Sequence, residues 1–406
     1  MKIISKVKYW GQLLLLPVYW LSFFVPRNKK IWLFGSTFGR RFADNPRYLY
    51  LYASQHKEEL GIRPIWISQN KEIVDFLTAN GYEAYLYHSF KGIWYALRGK
   101  VYLFDNYSKD INFWQSGGAV KINLWHGIPL KKIQADNKFD KFRHPRNLWE
   151  KWKNFPRNLS DEKPSHYVLT NSEFMKPIFA SAFRTENVLI NGYPRNDSML
   201  SEDLTNLYTE TESKVLALIQ KRILESNLRM VYYMPTFRDS ETKFFEVVDL
   251  DRLNTFLEKN QLLFCVKLHP KSKLRKRFEE IGSDNIIVID ADTDPYVFIE
   301  DSTLLITDYS SIYFDYILSG KPVVFFDYDL EEYLRDAREM YFDYGEYTPG
   351  KKAADLSELE KAILDTLEND SLYKKEREAM IEKMFRDGKK EASSTFVKEI
   401  KSIIRY

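Results

Sequence analysis

Five short stretches hold the residues best suited to chemistry, and in each the reactive side chains follow an apolar run. The first is Asn123-Leu124-Trp125-His126-Gly127-Ile128-Pro129-Leu130-Lys131-Lys132. A strand running into a His-Gly turn brings an imidazole to a strand end, where it can act as a general base near neutral pH. The glycine allows a sharp turn and close approach by a ligand. A hydrogen-bonded structural histidine is the competing assignment. The second stretch, Val231 to Asp239, delivers Thr236 and Arg238 to a loop. A guanidinium there suits bidentate phosphate recognition, although an Arg238–Asp239 surface pair would use the same residues. The third, Val266-Lys267-Leu268-His269-Pro270, ends in a histidine that can donate to phosphate or act as an acid. The basic run beyond it (Lys271, Lys273, Arg275, Lys276, Arg277) reads equally as a solvated helix face. The fourth, Leu304 to Asp315, passes from a strand to a helix opening on Ser310 and Ser311. Orphan backbone N–H groups and two hydroxyls make a ready phosphate site; alternatively Ser310 or Asp308 simply caps the helix. The fifth, Pro322 to Tyr333, contains Asp327-Tyr328-Asp329. An Asp-x-Asp can hold a divalent metal with a nucleotide diphosphate, but two carboxylates define a site weakly and a loop role is favoured.

The elements that must position these residues alternate between strand and helix. Expected strands are Ile31–Phe34, Arg63–Ser68, Val101–Phe104, Lys121–Trp125, His166–Thr170 and Val188–Ile190, with helices near Tyr48–Glu59 and Ile73–Asn80, the latter closed by Gly81. After a long helical stretch, Glu202–Ser226, the alternation restarts: strands Met230–Met234, Leu262–Leu268, Asn285–Ile289, Leu304–Ile306 and Pro322–Phe326, with a helix at Leu250–Lys259. Helices dominate from Leu356 onward. Such alternation predicts βαβ units and parallel sheets in two α/β halves, with ligands at the carboxyl ends of strands. The lone Cys265 is expected to be a small buried hydrophobe.

Taken in order, these motifs resemble the CDP-glycerol:poly(glycerophosphate) glycerophosphotransferase family. The resemblance rests on Trp125-His126-Gly127 with Pro129-Leu130-Lys131-Lys132, Asn191 to Asp197, Pro235 to Asp239, Lys267 to Pro270, Thr307 to Tyr333 and Tyr347-Thr348-Pro349-Gly350. It implies an α/β GT-B fold: two Rossmann-like domains with parallel sheets facing a central cleft, plus an N-terminal membrane-associating segment. The implied division is a membrane segment at 1–28, an acceptor domain at 29–200, a CDP-donor domain at 201–385 and a C-terminal helix at 386–406. It also implies transfer of a polyol phosphate, foremost glycerol phosphate, from a CDP-polyol to a hydroxyl of a lipid-linked (undecaprenyl-type) or polymer acceptor, releasing CMP. His126 would be the base and His269 the pyrophosphate partner or acid. Arg238, Thr236, Lys267, Asp308, Ser310 and Ser311 would bind the donor, and Lys131, Lys132 and Arg195 the acceptor or its phosphate. No metal or other cofactor is then expected. Ile128 and Phe237 stand where the family usually has threonine and tryptophan, which bears on donor selectivity. Two rivals remain: a GT-B glycosyltransferase using a nucleotide sugar, and a non-catalytic membrane-bound nucleotide- or polymer-binding subunit.

Composition narrows the partners. The 406 residues carry a net charge of +3, so no global polyanion-binding signal exists. Forty-four per cent hydrophobic residues suits a folded core, and one cysteine excludes a disulfide framework. The 16% aromatic content is high. Part of it lies in two tracts bounded by basic residues. Tyr9 to Pro26 is uncharged and contains Trp10 and Trp20; eighteen helical residues would span about 27 Å, slightly short of a bilayer's hydrocarbon core. A cleaved signal, a transmembrane helix and a buried helix compete with the preferred reading, a segment lying in the membrane interface. The second tract, Lys138 to Arg157, contains Trp149, Lys151, Trp152 and Lys153. It is expected to be interfacial, against a solvated amphipathic helix. No nucleic-acid partner is expected. A peripheral, monotopic protein on the cytoplasmic face of a bacterial membrane follows as the expectation.

Overall fold

In the computed structural model, residues 9–161, 165–200, 206–238, 241–336, 339–385 and 391–405 are described. The chain forms two compact units. Unit 1 comprises the chain up to His126, Ile133–Leu207 and the segment from Phe385 onward; unit 2 comprises Gly127–Lys132 and Tyr208–Met384.

Unit 1 is built on seven strands: β1 (Asn28–Gly35), β2 (Arg63–Ser68), β3 (Ala84–Leu86), β4 (Gly99–Phe104), β5 (Val120–Asn123), β6 (Tyr167–Thr170) and β7 (Val188–Ile190). Their spatial order is β3-β2-β1-β4-β5-β6-β7, and every pairing is parallel. Unit 2 carries six: β8 (Arg229–Tyr233), β9 (Leu262–Lys267), β10 (Ile286–Ile289), β11 (Ser302–Thr307), β12 (Val323–Phe326) and β13 (Lys351–Ala353). Their order is β10-β9-β8-β11-β12-β13, again all parallel. Each sheet thus repeats the doubly wound 3-2-1-4-5 order, which reverses direction beside its first strand and leaves a crevice there. Helices cover both faces, so central strands are apolar throughout rather than alternating. Trp32, Leu33 and Phe34 in β1, and Leu304, Leu305 and Ile306 in β11, are fully buried. Cys265 in β9 is buried as expected.

Local chemistry accounts for the element ends. Asn70 caps the helix Lys71–Ala79 by accepting the N–H of Glu72, and Gly81 follows at φ +80°. Thr209 and Glu212 form a capping box at the start of Glu210–Ser226. That helix is shorter than anticipated: residues 206–209 are non-helical, and 201–205 lie outside the described residues. The helix near Tyr48 starts earlier and breaks at His56, giving Asp44–Gln55 and Lys57–Leu60. Strands β3 and β13 were not anticipated; each has three residues at or beside a sheet edge, too short for a period-2 pattern to register.

The C-terminal helix Ala392–Ile403 packs within unit 1. Asp197 accepts the backbone N–H groups of Ala392 and Ser393 at 2.8 Å each, Asn191 donates to the Ala392 carbonyl at 2.7 Å, and Phe396, Val397 and Ile400 are buried. The stretch Gln12–Phe24 is a series of short helical turns, and no helix among the described residues is long and apolar enough to cross a membrane. One side of it docks on unit 1. Tyr19 stacks on Phe113 at 4.7 Å, and the buried Ser22 hydroxyl accepts the N–H of Gly117 at 2.9 Å. Leu14, Trp20, Leu21 and Phe24 project outward.

Candidate functional site

In unit 2, the reversal in strand order falls between β8 and β11, and four of the five motifs leave the sheet on or next to these strands. Asp308, following β11, accepts the backbone N–H of Thr236 at 2.9 Å and that of Ser310 at 3.1 Å. It thereby ties the two crevice loops together. Arg238 completes the frame: Nη1 donates to Asp308 at 2.7 Å and to the Thr236 carbonyl at 2.7 Å, while Nε and Nη2 donate to Asp329 at 2.5 and 2.7 Å. Tyr309 adds its hydroxyl to Asp329 at 2.7 Å. Burial alone would lower the Arg238 pKa, but Asp308 and Asp329 outweigh it and hold the guanidinium above its ordinary value. Burial would likewise raise Asp329, yet the hydrogen bonds and charge of Arg238 hold it below the usual carboxylate range.

Around this frame stand the groups that face outward. Thr236, Arg238 and His269 line one small cavity, with the Phe237 ring packed at a tilt against the His269 ring, centroids 4.7 Å apart. The backbone N–H of Lys271 donates to His269 Nδ1 at 3.2 Å. In the neutral ring the proton then sits on Nε2, leaving that nitrogen a donor. Lys131 reaches Thr236 Oγ1 at 3.4 Å. Ser310 and Ser311 are half-buried, and among the described residues no hydrogen bond engages either hydroxyl.

In unit 1, His126 is exposed at the end of β5 and belongs to a distorted turn. Trp125 adopts φ +51° and Gly127 φ +139°. A left-handed tryptophan costs free energy and persists only when its surroundings impose it. Asn123 Oδ1 accepts the Trp125 N–H at 2.8 Å, and the buried Asn45 donates to the Trp125 carbonyl at 2.9 Å. His126 Nδ1 lies 3.1 Å from the carbonyl oxygen of Asp105. Donation to that oxygen puts the proton on Nδ1 and leaves Nε2 as the basic nitrogen. Asp105 and Asp110 fill the crevice beside β1: Ser36 and the Thr37 N–H bind Asp105 at 2.6 and 3.0 Å, and the Phe38 N–H binds Asp110 at 2.9 Å. Both carboxyls are raised, Asp105 by burial and then Asp44, Asp110 by burial and then Asp105.

A family model for CDP-Glycerol:Poly(glycerophosphate) glycerophosphotransferases matches residues 18–402. The chain belongs to this family. It is a CDP-glycerol glycerophosphotransferase-type enzyme. It is 27% identical over 372 residues to a teichoic acid poly(glycerol phosphate) polymerase of Bacillus spizizenii, covering 85% of this chain and 87% of that one. It is 28% identical over 349 residues to a Staphylococcus epidermidis protein of the same description, of which it spans 43%. The solved wall teichoic acid polymerase TagF superposes with a TM-score of 0.73 at 23% identity over 100% of this chain and 97% of that one, a likeness of fold. Two Rossmann-like units with parallel sheets are therefore the glycerophosphotransferase architecture expected from the sequence.

Several assignments need correction. The Arg238–Asp239 pairing falls on Asp239, which lies outside the described residues; the Arg238 nitrogens donate to two buried carboxylates, Asp308 and Asp329, so it frames the crevice. Asp308, expected to bind the donor, spends its oxygens on the Thr236 and Ser310 N–H groups and on Arg238, and so holds the loops. Lys267 is buried, and its ammonium is bound by the Asp290 and Ala291 carbonyls and Thr293 at 2.8, 3.3 and 3.0 Å. Arg195 is 1% exposed and paired with Asp44 at 2.7 Å, while its N–H binds Asn45, the residue that holds Trp125. It supports the His126 turn from behind. Lys132 pairs with Glu339 at 3.1 Å. The helix after Ser311 has five residues and no side-chain cap bond, so neither capping by Ser310 nor a long-helix dipole applies. Sequence reasoning missed Asn45 and Asp105 and undervalued Asp329. Asp329 had been set aside as ordinary loop, and the other two gain meaning only from contacts distant in sequence.

Proposed function

We propose that this glycerophosphotransferase catalyses attack of an acceptor hydroxyl on the β-phosphorus of CDP-glycerol. A new oxygen–phosphorus bond forms, the bond between the two donor phosphates breaks, and CMP departs with the electron pair. His126 Nε2 takes the proton of the attacking hydroxyl. His269 Nε2–H, Lys131 and the hydroxyls of Thr236, Ser310 and Ser311 meet the donor's diphosphate, and Arg238 with Asp308 and Asp329 keeps their loops in register. Because phosphoryl transfer spreads charge over oxygens, such positioned donors supply most of the catalysis. These groups carry the charge without a metal, so transfer is expected to survive EDTA; activity lost to EDTA and restored by magnesium would contradict this.

One observation carries the reading: the hydroxyls of Ser310 and Ser311 stand beside the β8/β11 crevice, and among the described residues no hydrogen bond engages them. The β1 crevice, in contrast, is already occupied by Asp105 and Asp110. Donor binding therefore goes to unit 2, and the acceptor goes to the His126 side of unit 1.

A membrane-borne, lipid-linked acceptor is part of the proposal. The two aromatic tracts meet in unit 1: Trp10 packs on Trp152 at 4.3 Å, Trp149 on Trp152 at 5.2 Å, and Tyr9 donates to the Lys153 carbonyl at 2.8 Å. With Trp20 and Phe24 exposed alongside and basic residues interleaved, the patch suits an anionic bilayer surface. The cytoplasmic leaflet, where CDP-activated donors reside, is the side assigned.

The test is CMP release from CDP-glycerol with mass analysis of a synthetic acceptor. An added glycerol phosphate is expected, and His126→Ala should lose transfer by roughly 10²–10⁴-fold while still binding CDP-glycerol. A nucleoside diphosphate product, or wild-type turnover in His126→Ala, would sink the assignment.

A further inference from the structure

Unit 1 contains a cavity of about 60 Å³ that no role described above uses. That is several times the roughly 10–15 Å³ needed for one water, and enough for a phosphate group. Lys121, Arg143 and Arg184 line it, together with Asn106, Asn123 and Ser160. Lys109 and Arg157 stand behind the Asp161 that also lines it, pairing with that carboxylate at 2.5 and 3.3 Å, and Asp140 pairs with Arg143. The cations outnumber the carboxylates around the space.

Its walls are shared with the catalytic turn. Asn123 lines the cavity and also holds the N–H of Trp125, while Phe183, another lining residue, packs on the Trp125 ring at 4.9 Å. The Trp125 ring packs at a tilt against His126, centroids 3.8 Å apart. Ser160 and Asp161 come from the helix Leu148–Asp161, whose opposite end exposes Trp149 and Trp152. A phosphate seated here would lie between the proposed membrane-facing helix and the basic imidazole.

We propose that this cavity is the acceptor's anion subsite: it binds a phosphodiester or diphosphate group of the incoming acceptor and so sets which hydroxyl reaches His126. The inference rests on the phosphotransfer reading above. Lys121 and Arg184 are its binding residues, with Arg143 held in place by Asp140 and by Tyr107 at 2.9 Å.

The experiment uses the full chain and two soluble probes, a short-chain diphosphate-linked disaccharide bearing one glycerol phosphate and its phosphate-free counterpart. Calorimetry compares wild type with Lys121→Met and with Arg184→Gln; the exposed position of Arg184 makes the second variant safe for folding. Each substitution is expected to weaken binding of the phosphate-bearing probe about tenfold or more. Affinity for the phosphate-free probe, the KM for CDP-glycerol and flotation on phosphatidylglycerol vesicles should not change. Equal effects on both probes, no effect on either, or no preference for phosphate in the wild type would overturn the proposal. So would lost flotation with probe binding retained, which would make the cavity a site for bulk lipid headgroups. Failure of the phosphotransfer reading looks different: wild type would bind the phosphate-bearing probe yet release no CMP with any acceptor.

Discussion

At the scale of single residues, the two histidines are set by their partners. His126 gives its Nδ1 proton to a backbone carbonyl and keeps Nε2 basic, whereas His269 receives an N–H at Nδ1 and keeps Nε2 as a donor. Identical side chains thus acquire opposite roles. Asn45 is the least conspicuous contributor, holding both the Leu124 and Trp125 carbonyls. Asn45→Ala leaves those buried acceptors short of a partner, at about 1–3 kcal/mol. With the donor assigned to unit 2 as proposed, it is expected to lower kcat while the dissociation constant for CDP-glycerol stays constant. Parallel loss of donor affinity in equilibrium titration would argue against that division. Removing one member of the buried Arg238 network should be harsher: Arg238→Gln leaves Asp308 and Asp329 uncompensated and should cost about 3–5 kcal/mol in denaturant unfolding.

At the scale of elements, the two crevices respond to acid in opposite directions. Asp110 has a raised folded pKa, so its folded state holds a proton more tightly than the unfolded chain does. That stabilisation is present at low pH and is lost as pH rises from the ordinary aspartate value through the raised one. Asp329 has a depressed folded pKa, so its stabilisation is present above the ordinary value and is lost as pH falls through the depressed one. Asp110→Asn should therefore be more destabilising near about pH 5 than near about pH 8, and Asp329→Asn more so near about pH 7 than near about pH 3. Denaturation midpoints at those pH values check both signs. Gly350, in the last motif, has an equally plain reason: a Cβ there would run into the Val323 carbonyl of β12. Gly350→Ala should loosen the β12–β13 pairing, visible as faster amide exchange at Lys351–Ala353.

At the scale of the whole molecule, the chain leaves unit 1, contributes Gly127–Lys132 to unit 2, returns, and closes unit 1 with its last helix. The Trp-His-Gly motif is therefore divided, with His126 in one unit and Lys131 beside Thr236 in the other. Removing residues 391–406 should raise exchange in unit 1, near Asn191 and Asp197, before it touches unit 2. The joined aromatic patch predicts that replacing Trp149 and Trp152 together by serine abolishes flotation on anionic liposomes while soluble CMP release continues. Undiminished flotation would leave the interfacial reading without support.

Much of this was legible in the residues themselves. Two runs of strand–helix alternation prescribe two doubly wound sheets, because apolar strands of four to eight residues flanked by amphipathic helices have few other ways to bury their faces. The ordered motifs identify the family, and loops at strand ends are where such folds bind ligands. Tertiary structure alone decided which polar groups are already engaged by partners within the protein. Arg238, Lys267 and Arg195 look like phosphate ligands in sequence, yet each is spent on partners far along the chain: Asp329, Asp290 and Asp44. The physical reason is that a buried cation must be paired, and the pairing carboxylate or carbonyl can come from any distance in sequence. Residue type and spacing announce a charge; only the folded chain determines whether that charge is already satisfied.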